Sequence, residues 1–173
     1  ILQIGSHPEP ELGLIPYLCN KSKASLDIGA NVGLYTRQLI KYSEHCWAFE
    51  PNPELAKHLR RMFKSKITVE EVALSNKTGF TDIRIPLTAP ALATIENSNK
   101  LAGIDNIKSI TVPEKQLDQY HIKQIGFIKI DVEGHEQSVL DGAINSILRD
   151  KPSLIIEIEE RHKPNSIKTT RDF

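Results

Sequence analysis

Short apolar runs alternate with segments of helical spacing through most of the chain. The first run, S-L-D-I at 25–28, carries Asp27 near its end, and a turn of small residues, G-A-N-V-G at 29–33, follows it. Leu34, Leu39 and Ile40 then fall on one helical face, which predicts a helix to about Tyr42. H-C-W-A-F-E at 45–50 reads as a second buried strand, stopped by Pro51, Asn52 and Pro53. Helical spacing resumes over 54–64 through Leu55, His58, Leu59 and Met62, and I-T-V-E-E-V-A-L at 67–74 reads as a third strand.

This β-α-β-α-β succession implies right-handed crossovers and a parallel sheet. After Asn76 the rhythm changes: a turn at Gly79 and the alternation T-D-I-R-I-P predict an added antiparallel strand ending at Pro86. Residues 87–108 are polar and without period, the mark of a long loop, and such loops are functional or mobile. A short strand over 110–113 and a helical turn over 114–121 follow. I-G-F-I-K-I-D at 125–131 is apolar almost throughout, as a central strand is. The next helix is expected to turn Val139, Leu140, Ala143, Ile144, Ile147 and Leu148 inward. Pro152 ends that region, and S-L-I-I-E-I-E at 153–159 makes a fifth core strand. Before all of this, Pro8, Pro10 and Pro16 punctuate a broken helix containing Leu12, Leu14, Ile15 and Leu18. The expectation is a single domain over 1–173: a helical segment at 1–24, a core at 25–159 and a polar tail at 160–173.

A chain of 173 residues suits one domain with a sizeable core. Lys+Arg 22 balance Asp+Glu 22, so there is no basic footprint for nucleic acid, and none is expected as a partner. No apolar run approaches membrane-spanning length. Cys19 and Cys46 are too few for a disulfide framework or a metal knuckle, which makes a reducing, cytoplasmic setting the default expectation.

In an open parallel sheet, ligands sit beyond the carboxyl ends of the strands. The turn after Asp27 has two glycines, Gly29 and Gly33, in G-x-x-x-G spacing rather than the G-x-G-x-x-G of dinucleotide sites, and Asp27 repels phosphate and suits a cation. A nucleoside carrying a sulfonium fits better than NAD, and S-adenosylmethionine is the natural candidate. Glu50, at the end of the second strand, is placed to accept hydrogen bonds from ribose hydroxyls. Ala73-Leu74-Ser75 would let the backbone reach an adenine edge. Asp131 leaves a buried strand with Glu133, His135 and Glu136 close behind, and a carboxylate so placed must be paired or bind something.

D-I-G-A-N-V-G-L-Y-T at 27–36, F-E-P-N-P at 49–53, V-A-L-S-N at 72–76 and I-K-I-D-V-E-G-H-E at 128–136 together resemble the FkbM family of S-adenosylmethionine-dependent methyltransferases. The resemblance implies an α/β class I methyltransferase (Rossmann-like) fold, doubly wound around a mostly parallel, seven-stranded sheet. It also implies O-methylation of a hydroxyl on a sugar, glycolipid or secondary metabolite. Position by position, Asp27, Gly29, Asn31 and Gly33 would hold the methionine part, Glu50 the ribose, and Pro51 and Asn52 with Ala73 the adenine, while Asp131 would stand beside the sulfonium and the acceptor. One departure is that only about fourteen residues follow Glu159, too few for the full C-terminal hairpin of that fold.

Methyl transfer to oxygen asks mainly for alignment and for a group to take the hydroxyl proton. Asp131 and Glu133 are the carboxylates expected there, with His135 a second option against the plainer reading of an exposed helix-start residue. Glu157 interrupts an apolar strand and needs a partner, for which Lys129 is the natural choice; it is then a structural ion pair or a ligand of the acceptor hydroxyl. Asp131 and Glu157 lack a third oxygen ligand for Mg²⁺, so no metal is expected. The acceptor, a small molecule or carbohydrate, would be met by 87–108, the N-terminal segment and whatever follows Glu159. Two rival readings are a non-catalytic adenosyl-binding module and an NAD-linked oxidoreductase.

Overall fold

The computed structural model describes residues 9–88, 93–96 and 106–158. The N-terminal segment is a 3-10 turn at Pro10–Leu14 running into α1 (Ile15–Leu18), the broken helix expected from its prolines; Pro8 lies outside the described residues. β1 (Ala24–Ile28) follows and is buried at every position, as a strand covered on both faces must be. α2 (Leu34–Tyr42), β2 (His45–Phe49) and α3 (Pro53–Phe63) keep the expected boundaries within a residue. α3 starts cleanly because Asn52 caps it, its Oδ1 accepting from the Glu54 N–H at 3.1 Å, with Pro53 at the first helical position.

The run at 67–74 is not one strand. β3 (Ile67–Glu70) pairs with β2, but the chain leaves the main sheet at Glu71, whose carboxylate reaches Arg60 on α3 at 2.8 Å. β4 (Ala73–Leu74) then pairs in parallel with β6 (Ile107–Lys115), to which β5 (Gly79–Pro86) is antiparallel. The added antiparallel strand is therefore β5, in a separate three-stranded sheet ordered β4-β6-β5. β6 is longer than the predicted 110–113, and a 3-10 turn at Leu117–Tyr120 follows it. Of the expected loop at 87–108, residues 89–92 and 97–105 lie outside the described residues.

β7 (Ile125–Ile130) and β8 (Ser153–Ile156) complete the main sheet, a five-stranded parallel sheet in the order β3-β2-β1-β7-β8. Among the described residues it holds five strands rather than the seven expected, and the polar tail at 160–173 is outside them. The chain winds outward from β1 in one direction to β3 and returns to wind the other way through β7, so the switch point lies between β1 and β7. On one face Leu26, Ile28, Ile128 and Ile130 pack against Val139 and Leu140; on the other Cys46, Ala48 and Phe127 pack against Leu39, Leu59, Phe63 and Ile15. Each of the leucine, isoleucine, valine and phenylalanine side chains contributes about 1.5–3 kcal/mol by leaving water.

The helix after β7 is broken into α4 (Glu136–Asp141) and α5 (Ile144–Asp150) at Gly142, where an added Cβ would lie 1.9 Å from the Ser75 carbonyl oxygen. The break turns Leu148 outward, 66% exposed, contrary to its expected place on the inner face. β8 ends at Ile156, so Glu157 is an exposed residue past the strand rather than a buried carboxylate within it. No helix of the described residues is long and apolar enough to cross a membrane.

Candidate active site

The turn after β1 is held by its neighbours on both sides. The Gly29 and Ala30 N–H groups donate to the Phe49 carbonyl at the end of β2, and the Asp131 N–H donates to the Ile28 carbonyl from the end of β7. Gly29 has φ +75, and a Cβ there would lie 1.8 Å from the Asp131 carbonyl oxygen, so the turn can approach β7 only as glycine. Gly33 serves a different contact. Its Cβ would meet Leu59 and Phe63, which places this glycine against α3 and away from the cleft lining.

Glu50 follows β2 and is 5% exposed. Its Oε2 accepts from the Asn31 N–H at 2.8 Å and its Oε1 from the Asn52 N–H at 2.8 Å, so one carboxylate ties the turn after β1 to the start of α3. Burial pushes its pKa up to about 7; the two N–H donors pull the other way without reversing it. Asn52 acts through this bond and its capping role rather than by lining the cleft.

Asp27 is fully buried on β1. Its Oδ2 accepts from the Thr36 hydroxyl at 2.5 Å, and its Oδ1 faces the Lys129 ammonium at 3.7 Å. Lys129, directly across in register on β7, also lies 3.1 Å from Asp131 Oδ2, donates to the Gly29 carbonyl at 3.0 Å and sits over the Tyr35 ring. Burial lowers the Lys129 pKa, but the Asp27 and Asp131 charges outweigh it and hold it above its ordinary value. The partners of Lys129 within ion-pair distance are thus Asp27 and Asp131, not the expected Glu157. Ile130 and Ile156 are register partners, so Asp131 and Glu157 leave adjacent strand ends, and the Asp131 charge raises the Glu157 pKa.

His135 is not an exposed helix-start residue. Its side chain is 11% exposed, with Nδ1 at 2.5 Å from Glu96 Oε1 and Nε2 at 2.9 Å from Ser75 Oγ. Beside it, the Thr94 hydroxyl donates to the Glu133 carbonyl at 2.9 Å. The sequence reading takes Ser75 only as part of an adenine edge and singles out neither Thr94 nor Glu96, because the partners that bring them here, His135 and Glu133, lie 39 to 60 positions away.

These groups surround a cleft at the carboxyl ends of β1, β2 and β7, where an open parallel sheet holds its ligands. Of the residues expected from sequence, Gly29, Asn31, Glu50, Pro51, Ala73, Asp131 and Glu133 line it, while Asp27, Gly33, Asn52 and Glu157 do not. Phe49, Leu55, Val72 and Leu74 give it an apolar side; Ala93, Thr94 and Ile95, from the stretch expected to meet the acceptor, line it together with His135. A carboxylate with paired donors, an apolar slot and a second carboxylate beyond a glycine turn form a donor set that fits an adenosyl group carrying a cation.

The family model described as Methyltransferase FkbM domain matches residues 27–173. The hexuronic acid methyltransferase AglP of Haloferax volcanii is 27% identical over 142 residues, covering 82% of this chain, which spans 58% of the length of that relative. The crystal structure of methyltransferase FkbM from Methylobacillus flagellatus superposes with a TM-score of 0.62 at 24% identity, over 88% of this chain and 36% of that one. An rRNA methylase from Streptococcus thermophilus superposes with a TM-score of 0.55 at 12% identity, over 94% of this chain and 77% of that one, which is a likeness of fold.

Proposed function

The chain belongs to the methyltransferase FkbM family, and we propose that it transfers the methyl group of S-adenosylmethionine to a hydroxyl of a sugar, glycolipid or secondary metabolite. The observation that carries the reading is the pairing of Glu50 and Asp131 on one cleft, at the ends of β2 and β7 on either side of the Gly29 turn. S-adenosylmethionine is the cofactor that the family indicates, and it supplies a methyl group already activated on a sulfonium. The hexuronic acid named for the Haloferax relative supports a carbohydrate acceptor.

In this reading Glu50 accepts the ribose hydroxyls, and Pro51 and Ala73, with Asn52 holding the α3 start, bound the adenine. Gly29 and Asn31 meet the methionine part at the turn, which Gly33 and Asp27 shape from beneath. Lys129 fixes the Asp131 carboxylate at the cleft wall, where Asp131 orients the acceptor hydroxyl. Asp131 or Glu133 takes its proton as the new oxygen–methyl bond forms. In the same reading Glu157, exposed at the strand end beside Asp131 and outside the cleft lining, meets the acceptor rather than the cofactor.

A broad screen with methyl-labelled S-adenosylmethionine tests the reading, with neutral hexosides, hexuronides, a glycolipid, hydroxylated polyketide-type metabolites and a short RNA as acceptors. Label on a sugar, lipid or metabolite hydroxyl is expected. Cofactor binding with no transfer to any of them would establish the non-catalytic adenosyl-binding module instead, and label on RNA alone would overturn the small acceptor.

A further inference from the structure

Residues 93–96 cross one side of the cleft and are tied down at both flanks. Toward the small sheet, the Thr94 and Arg84 backbones exchange hydrogen bonds at 2.9 and 3.1 Å, and the Arg84 guanidinium donates to the Glu96 carbonyl. Toward the main sheet, the Thr94 hydroxyl donates to the Glu133 carbonyl and accepts from the Glu96 N–H at 3.0 Å, while the Glu96 carboxylate meets His135. His135 is anchored in turn by Ser75, which is fully buried beside β4. Three segments distant in sequence therefore meet on one imidazole.

Both ring nitrogens of His135 are engaged. One faces a carboxylate and the other a buried hydroxyl, so the ring could take a proton from an acceptor only by giving up one of these partners. That argues against His135 as the proton acceptor. What the geometry does provide is a fixed wall: Ala93, Thr94 and Ile95 line the same cleft as Phe49, Pro51 and Leu55, Ala93 and Ile95 pack against the cluster that holds Ala73, and the Thr94 hydroxyl and the Glu96–His135 contact join that wall to the loop after β7.

We propose that His135 and Glu96 are positioning residues that pin residues 93–96 over the adenosyl part of the cleft and thereby set how long the cofactor stays bound. The proposal rests on the adenosylmethionine reading of that cleft. A pin made of two groups acts as a unit, so its loss is felt once, whichever half is removed.

The test uses the full chain and S-adenosylhomocysteine, with affinity from calorimetric titration, dissociation rate from competition, and melting of the unliganded chain. His135→Ala and Glu96→Ala are each expected to raise the Kd and the dissociation rate about tenfold, and the double variant no further. Glu96→Gln keeps an oxygen for His135 and should stay within about threefold of the parent. The unliganded melting temperature should move by only a few degrees. If His135→Ala fails to fold, Thr94→Val, which removes the bond to the Glu133 carbonyl, must show the faster dissociation in its place. Unchanged Kd and dissociation rate in these variants, or losses that add and track melting, overturn the pin while leaving the cofactor site intact. A parent chain that does not bind S-adenosylhomocysteine overturns both.

Discussion

Asp27 and Lys129 are register partners on β1 and β7, and their charged groups lie 3.7 Å apart beneath the cleft, both nearly or fully excluded from solvent. The Asp27 carboxylate could not be there without Lys129, because an unpaired charge in a dry core is expensive. Lys129 also carries the support of Asp131 and of the Gly29 carbonyl, so one ammonium joins the sheet core to the site.

Lys129→Met should therefore cost about 3–5 kcal/mol in denaturant unfolding, since it strands the Asp27 carboxylate. Asp27→Asn combined with Lys129→Met should recover part of that loss. A single Lys129→Met as stable as the parent would show that the pair does not hold the charge balance.

Glu50 makes the site sensitive to pH in a definite direction. Its pKa is about 7 in the folded chain against an ordinary 4.5, so folding takes up a proton between these values. The resulting stabilisation is complete below 4.5 and lost as pH rises through 7, up to about 3 kcal/mol. The parent should thus melt lower at pH 8 than at pH 5, a difference that Glu50→Gln removes. Cofactor binding runs the opposite way, because ribose hydroxyls donate to the ionised carboxylate. Affinity for S-adenosylhomocysteine should rise about tenfold from pH 6 to pH 8 in the parent and stay flat in Glu50→Gln.

Gly29→Ala places a methyl against the Asp131 carbonyl in a left-handed backbone and should cost at least ~3 kcal/mol with loss of cofactor binding. Gly79→Ala, where an added Cβ meets nothing within 4 Å, should change stability by less than about 0.5 kcal/mol. Thermal unfolding of the two variants side by side reads the contrast.

Asp131→Asn keeps the shape at the end of β7 and removes the charge. With an acceptor found by the labelled screen, kcat should fall about a hundredfold, while the Kd for S-adenosylhomocysteine changes by less than about threefold. Equal effects on both would take Asp131 away from the acceptor.

The β1 turn, α2, β2, α3 and β7 were legible in the sequence because each carries its own period and its own stop: Pro51 to Pro53 after β2, the glycine turn after β1. Glu50 and Asp131 were legible for the same reason, as carboxylates at the ends of apolar runs. The split at Glu71 was not, because V-E-E-V continues a plausible strand, and only the partner strand β6, more than thirty positions on, draws Ala73 and Leu74 away. Glu157 looked buried among isoleucines, yet β8 stops one residue earlier. Neighbouring strands suggest Glu157 as the partner of Lys129, but register sets Asp27 opposite it. His135 shows locally only a helix start and a neutral-range imidazole, and nothing local joins it to Glu96 or Ser75.

The central claim is that the cleft holds an adenosyl cofactor between Glu50 and Asp131. Calorimetric titration of the parent chain with S-adenosylhomocysteine and, separately, with NAD tests it most directly, repeated on Glu50→Ala. Saturable binding of S-adenosylhomocysteine with 1:1 stoichiometry is expected, weakened at least about tenfold by Glu50→Ala, with no binding of NAD. Binding of NAD alone, or S-adenosylhomocysteine affinity untouched by Glu50→Ala, would contradict it.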